Sequence, residues 1–347
     1  KPAGGVNGAS RTFSENSSRR IGLAALTHDD YSGDKAKVGQ RGSFMSKLVT
    51  IYGGSGFVGR YIARRMAQAG WRVRVAVRRP NEALHVKPYG VVGQVEPVLC
   101  NVRNDASVRA AMAGADAVVN CVGTFDRGGK NNFAAVQAEA PGRIARIAAE
   151  SGVQTLVHIS AIGANSDGGS LYAQSKGMGE AAVLAAFPSA MILRPSVIFG
   201  SEDGFFNRFA AMSRMGPILP VVGAATRFQP VFVDDVAQAA VKGITGQAAP
   251  GTYELGGPDI ETFKALMQRM LHVIRRRRLV VNMPFFIASI MGGAFDLLQT
   301  VTLGLFSNGC INHARRLHDL VVKELQTLRK RSIERLGALD ELTVDRF

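Results

Sequence analysis

Gly53-Gly54-Ser55-Gly56-Phe57-Val58-Gly59 sets glycines three residues apart, directly after a β-rich apolar run and directly before residues of helical character. Glycine at position 53 permits a tight turn. At 56 it lets the backbone approach a diphosphate with no Cβ in the way, and at 59 it lets a helix pack closely on a sheet. The helix start then offers unpaired N–H groups and a partial positive charge to phosphates. A glycine triplet alone is weak, and the strand–turn–helix context gives it weight. The alternative is a glycine-rich turn without a ligand. The next strand ends in Val77-Arg78-Arg79. A site selecting NAD carries a carboxylate there for the ribose 2′-hydroxyl, and none appears before Glu82. Two guanidiniums stand where a 2′-phosphate would sit, and their fork geometry matches phosphate. NADPH (NADP) is expected over NADH, the alternative being a solvated strand end. Asn120-Cys121-Val122-Gly123 supplies a small-residue turn beside the cofactor, and Asn101 and Val102 are placed to reach the adenine.

These residues need strands and helices to hold them. Apolar runs at 47–52, 72–77, 95–100, 117–122, 155–160 and 190–194 read as strands. Segments 60–69, 106–113, 132–151 and 172–187 read as helices. Strands alternating with helices mean βαβ units and a parallel sheet, and near-continuous apolar strands mean a sheet covered on both faces. The expected fold is α/β, a Rossmann-type doubly wound parallel sheet with a smaller, mixed C-terminal lobe. Three regions are expected: a leader or extended tail over 1–44, an NADP-binding domain over 45–200, and a lobe with a helical tail over 201–347. The chain is expected to cross back to the first domain near 228–258.

Length and composition bound the rest. The chain has 347 residues, 46% hydrophobic and 20% charged, which excludes a disordered chain. Three cysteines make no disulfide framework, and no Cys/His spacing suits a metal. The net charge of +15 suits anionic partners. Nucleic acid is not expected among them, because aromatics are not interleaved with the basic runs. Arg275-Arg276-Arg277-Arg278 is followed by the apolar stretch 283–306. Asp296 and Gln299 argue against a spanning helix there. The stretch reads as a buried helix of the lobe or as a face resting on a membrane, and the arginines as a solvated loop or a docking element. Residues 1–44 read as a targeting remnant or a disordered leader.

Several motifs in joint order resemble the extended or atypical short-chain dehydrogenase/reductase superfamily. They are the Gly53/Gly56/Gly59 turn, Ser160 after the fifth strand, Tyr172-Ala-Gln-Ser-Lys176, Leu193-Arg-Pro-Ser-Val-Ile-Phe-Gly200, Pro230-Val-Phe-Val-Asp-Asp-Val236 and Tyr253-Glu-Leu-Gly-Gly-Pro258. The resemblance implies a triad of Ser160, Tyr172 and Lys176. Ser160 would hydrogen-bond a substrate oxygen, Tyr172 would be the acid or base, and Lys176 would lower the phenol pKa and bind the nicotinamide ribose. Tyr172 and Lys176, four residues apart, share one helix face. The resemblance adds Ile159, Pro195, Ser196 and Val197 to the cofactor-lining residues. The alternative is that Lys176 only holds the ribose and Tyr172 packs beside the ring.

Gly53–Tyr61, Val77–Pro80, Asn120–Gly123, His158-Ile-Ser-Ala161 and Phe228-Gln-Pro230 further resemble one branch, the NADPH-binding accessory subunits of respiratory complex I, in its alphaproteobacterial form. That resemblance implies a structural nucleotide. It also implies other complex I subunits as partners at the junction of the peripheral and membrane arms, with anionic phospholipid as a further one. The expected place is the matrix side of the mitochondrial inner membrane, or alternatively the cytoplasmic face of a bacterial inner membrane. An active NADP-dependent reductase or epimerase on a small carbonyl or sugar nucleotide is the second expectation.

Overall fold

The computed structural model describes residues 46–124, 129–283 and 344–346. The expectations for 1–44, for 284–306 and for the tail beyond it lie outside the described residues. Strand β1 (Leu48–Tyr52) is buried at every position. It lies between β2 (Arg72–Val77) and β4 (Ala117–Asn120), with Tyr52 in register with Ala76 on one side and Asn120 on the other. Strand β3 (Val95–Leu99) extends the sheet beyond β2. Strands β5 (Thr155–Ile159) and β6 (Met191–Pro195) extend it beyond β4. Seven strands run parallel, the outermost being β11 (Gly251–Leu255) beside β6, and β14 (Val344–Arg346) closes the edge antiparallel. The order 3-2-1-4-5-6 reverses direction between β1 and β4. A crevice opens at the carboxyl ends of such a switch point.

Alternation decides which side of the sheet each residue serves. Val49 and Ile51 point to the side covered by α1 (Phe57–Gln68) and α6 (Val233–Ile244), where Ile62, Met66, Val236 and Ala240 complete one core. Tyr52 and Val118 point to the side covered by α2 (Asp105–Met112), α3 (Ala140–Glu150) and α4 (Leu171–Ala186). The two polar groups of β1 on that side are satisfied. Thr50 Oγ1 donates to the Ala111 carbonyl and Tyr52 Oη to the Val108 carbonyl, at 3.0 and 2.8 Å. Each would otherwise cost about 1–3 kcal/mol as an orphaned buried group. Arg65 of α1 grips Asp234 of α6 through both carboxylate oxygens, at 2.6 and 2.7 Å, and so fixes the helix pair on that side.

The helix expected over 132–151 is not uniform. Residues Ala134–Glu139 wind as a π-helix before α3 begins. There α4 approaches closely: a Cβ on Gly179 would collide with the Gln137 carbonyl, so the two backbones meet with no side chain between them. A single 3₁₀ segment, Pro80–Tyr89, follows β2.

After β6 the chain builds short elements: β7 (Ile198–Phe199), α5 (Phe206–Met212), β8 (Ile218–Val222), β9 (Arg227–Phe228) and β10 (Val231–Phe232), then β12 (Glu261–Thr262), α7 (Phe263–Val273) and β13 (Leu279–Met283). Three two-stranded sheets, β7/β10, β9/β12 and β8/β13, frame a separate core. It is made of Leu219, Val221, Phe263, Met267 and Leu271, with the rings of Phe205, Phe209 and Phe228 packed around Phe263. No helix among the described residues is long and apolar enough to cross a membrane.

Candidate functional site

The glycine turn leaves β1 with Gly53 at φ 75°, a conformation that L side chains rarely adopt. A Cβ there would also press on the backbone of Cys121 and Val122 at 3.2 Å. The β4 turn is thus packed directly on the first glycine. A Cβ on Gly59 would lie 2.7 Å from Gly54 Cα, so α1 meets the loop backbone to backbone. Gly56 differs: its Cβ position meets only the Gly53 carbonyl, at 3.1 Å, and otherwise faces open space. Helices α2, α4 and α7 begin with Asn104, Ser170 and Thr262 side chains accepting a backbone N–H. Helix α1 begins at Gly56 with no side-chain cap and no acid in its first turn. Its N–H groups are left for an anion. Arg60 donates to the carbonyls of Ser55 and Gly56 at 3.1 and 3.2 Å and pairs with Glu202 at 3.5 Å. Tyr61 donates to the same Glu202 at 3.0 Å. Phe57 faces Gly200, where an added Cβ would sit 3.3 Å from the ring. These contacts tie the loop to the segment after β7.

The two arginines at the end of β2 have different fates. Arg79 is held by Glu82 at 2.9 Å on an exposed surface. Arg78 is exposed and has no ion-pair partner among the described residues. Asn101 spends its side-chain oxygen on the backbone N–H of Arg103 at 3.2 Å, and Val102 packs at the margin of the α2/α3 core.

At the other end of the crevice stand Ser160, Tyr172 and Lys176. Lys176 Nζ is buried and donates to the Ile159 carbonyl at 3.4 Å. A Cβ on Gly123 would lie 4.0 Å from it, so the β4 turn and the lysine share one wall. Ser160 Oγ is buried with no hydrogen-bond partner. Tyr172 stacks edge-on against Phe133, with centroids 6.1 Å apart. Pro195, Ser196 and Val197 are fixed by backbone bonds to Ile162, Leu255 and Val231. Farther along α4, Glu180 receives Arg194 through Nε and Nη2 at 3.0 and 2.7 Å, and Arg194 reaches Glu254 at 3.6 Å. That chain of charges pins the lysine helix to β6 and β11.

Burial governs the titrations here. It pushes the Lys176 ammonium down to about 8, against the opposing pull of Glu180 and Cys121. It pushes the Cys121 thiol up to about 12 despite the nearby lysine. It also raises the Tyr172 phenol above its ordinary value. Desolvation by burial is the cause of that upward shift.

Two residues noted in the sequence only as parts of motifs form a buried pair behind this wall. Asn120 and His158 are register partners on β4 and β5, and Asn120 Nδ2 donates to His158 Nδ1 at 3.1 Å. The accepting Nδ1 carries no proton, so Nε2 does, and that N–H is buried without a partner. Burial, then the Lys176 charge, pushes His158 down to about 3. The available signal was a polar residue in the same place on two adjacent apolar strands. Gln137 was not singled out in the sequence. It receives Ser175 Oγ at 2.9 Å and donates to the Thr124 carbonyl, which gives the π-helix its role in holding the β4 loop.

An uncapped glycine cradle, an orphaned buried hydroxyl and a lysine with donors to spare fit a dinucleotide lying across the switch point. The fold and the site define a dinucleotide-binding protein of the extended short-chain dehydrogenase type. Residues 49–256 match the NAD dependent epimerase/dehydratase family, and the chain belongs to that family. It is 34% identical over 265 residues to NADH dehydrogenase (ubiquinone) 1 alpha subcomplex subunit 9, mitochondrial, of Arabidopsis thaliana, a match covering 75% of this chain and 66% of the relative. It is 30% identical over 241 residues to the ceramide reductase of Caulobacter vibrioides, covering 68% of this chain and 74% of that one. The chain thus spans about two thirds to three quarters of the length of these relatives. Among solved structures, the Bordetella bronchiseptica enzyme WbmH in complex with NAD+ superposes with a TM-score of 0.59 at 19% identity, over 69% of this chain and 86% of that one. That likeness is one of fold.

Proposed function

We propose that this chain is a non-catalytic NADPH-binding accessory subunit of respiratory complex I (NADH:ubiquinone oxidoreductase). In this reading it stabilises the junction of the peripheral and membrane arms on the matrix side of the mitochondrial inner membrane. Other complex I subunits and anionic phospholipid are its partners. The observation that carries the reading is a fully built diphosphate cradle, beside a Tyr172 phenol that burial raises above its ordinary value. A general acid or base works best with a pKa near the operating pH, and the Tyr172 phenol is displaced the other way. The similarity to the Arabidopsis alpha subcomplex subunit supports it. Arg78, unpaired by any described carboxylate, supports NADPH over NADH as the nucleotide. A nicotinamide held here would supply hydride chemistry. The residues of this chain bind and orient it, and a tightly held nucleotide stabilises the fold by mass action.

A second reading is an active NADP-dependent reductase. It is favoured by Ser160 Oγ, which lacks a protein partner and could receive a substrate oxygen, and by the likeness to ceramide reductase. The two separate on a native gel of solubilised membranes and in the nucleotide released on denaturation. The accessory-subunit reading expects co-migration with complex I, release of NADPH, and no change of either in Tyr172→Phe. A free monomer or dimer that oxidises added NADPH with a carbonyl, and loses that activity in Tyr172→Phe, overturns it.

A further inference from the structure

Strands β8 and β13 form an isolated parallel pair, with Ile218 opposite Leu279 and Pro220 opposite Val281. One face is spent on the lobe core, where Leu219, Val221 and Val280 are buried. A two-stranded sheet normally shows solvent a polar second face. Here Ile218 is 52% exposed, Leu279 65% and Val281 39%, with Met215 at 88% just before β8. Exposed apolar side chains gathered on one face mark an interaction site.

The border of this face is cationic. Arg275, at φ 54°, ends α7 and turns the chain toward β13. Arg278 is committed, donating to the Ser213 carbonyl at 2.8 Å. Arg275 and Arg277 are exposed, and neither they nor Arg214 has an ion-pair partner among the described residues. Segments 205–232 and 263–283 contain three and six Lys or Arg residues, with no Asp or Glu in either. Flanking carboxylates are engaged elsewhere: Asp203 accepts the backbone N–H groups of Phe205 and Phe206, Asp234 pairs with Arg65, and Asp259 and Glu261 are engaged by Arg269.

We infer that the outward face of β8/β13, with Arg275 and Arg277 at its margin, docks on an anionic lipid bilayer. An acidic protein surface would answer the guanidiniums and leave the apolar strip uncovered. A bilayer interface offers phosphate headgroups and acyl carbon within a few ångströms of each other, so both halves of the surface are met at once. The chain continues from Met283 into the apolar stretch 284–306, which keeps the same order of basic then apolar residues. This inference deepens the proposed function and rests on its membrane-side placement.

The test is vesicle co-sedimentation of the purified full chain, a measurement in which complex I takes no part. Vesicles of phosphatidylcholine mixed with phosphatidylglycerol should carry the protein down, and vesicles of phosphatidylcholine alone should not. Arg275→Glu/Arg277→Glu should weaken binding by tenfold or more, and raised salt should mimic it. Ile218→Ser/Leu279→Ser, at exposed positions, should weaken it severalfold while far-UV circular dichroism and the retained nucleotide stay unchanged. Equal sedimentation with both vesicle types, or no loss in the arginine variant, overturns the inference. So does absence of binding to either vesicle, which would assign the face to residues 284–306 or to an acidic protein. Co-migration with complex I but no vesicle binding would leave the accessory-subunit reading standing and sink this one.

Discussion

The two ends of the nucleotide crevice are built by different means. The diphosphate end is backbone: three glycines, an uncapped helix start, and a β4 turn packed on Gly53 at contact distance. Its side-chain ties, Arg60 and Tyr61 to Glu202, brace the loop from outside. The nicotinamide end is side chains in a dry wall: Lys176 pushed down to about 8, His158 to about 3, and a Ser160 hydroxyl without a partner. The first is shaped by backbone and leaves only the helix-start N–H groups for an anion. The second holds polar groups whose burial is only partly repaid within the protein, so it should gain more from nucleotide. The contrast teaches that one crevice can join an end shaped by backbone to an end whose buried polar side chains are only partly satisfied within the protein.

The harshest way to break this contrast is to put a methyl into the cradle. Gly59→Ala would drive Cβ to 2.7 Å from Gly54 Cα, a backbone atom with nowhere to go. Overpacking of this kind costs about 1–3 kcal/mol, and the displaced loop should release the nucleotide. The expected outcome is loss of bound dinucleotide from the purified protein, with melting lowered by several degrees. Retention of nucleotide at wild-type stoichiometry would show that the cradle is not where the diphosphate lies.

The same contrast explains what could be read before the structure. The glycine turn, the strands on either side of it and the paired arginines follow from local rules: periodicity, turn chemistry and charge at a strand end. They were visible because backbone geometry is written in single residues. The burial that raises the Tyr172 phenol was not, because it depends on tertiary packing, in which Phe133, nearly forty residues away, meets the ring edge-on. The π-helix at 134–139 lies where α4 approaches at Gly179, a tertiary contact that helical periodicity does not reveal. Asn120 and His158 become partners only when β4 and β5 are laid side by side. The Glu82 that marked the end of a carboxylate-free run proves to occupy Arg79, a pairing that spacing allowed but did not require.

That pairing sharpens the diphosphate end. Arg78 and Arg79 were equivalent in sequence, and the structure leaves one of them unpaired. Arg78→Asp should weaken NADPH binding by about 10–100-fold, the worth of one charge-assisted hydrogen bond to phosphate, and leave NADH binding within a fewfold. Arg79→Asp should do less, since its guanidinium already answers Glu82. Isothermal titration of both nucleotides against both variants measures the four affinities. Equal losses for NADPH and NADH in Arg78→Asp would remove the guanidinium from the 2′-phosphate.

The nicotinamide end should show itself most quietly, in acid. His158 is neutral when folded down to about pH 3 and titrates near 6.5 when unfolded. The unfolded chain therefore binds the proton first, and stability falls as pH drops below 6.5. The slope approaches about 1.4 kcal/mol per pH unit for this one group. Lys176 adds nothing in that window, because below about 8 it is charged in both states. Asp203, whose carboxyl is raised by burial, works in the opposite sense and gains stability on acidification. Asp105 and Glu150 are lowered by their arginines and lose stability only as the pH falls below the ordinary carboxylate range. Comparing wild type with His158→Gln cancels all three carboxylates, since the amide can still accept from Asn120. Between pH 6.5 and 4.5 the difference in unfolding free energy should shift steadily toward the variant. A pH-independent difference would mean that His158 is not held neutral behind Lys176.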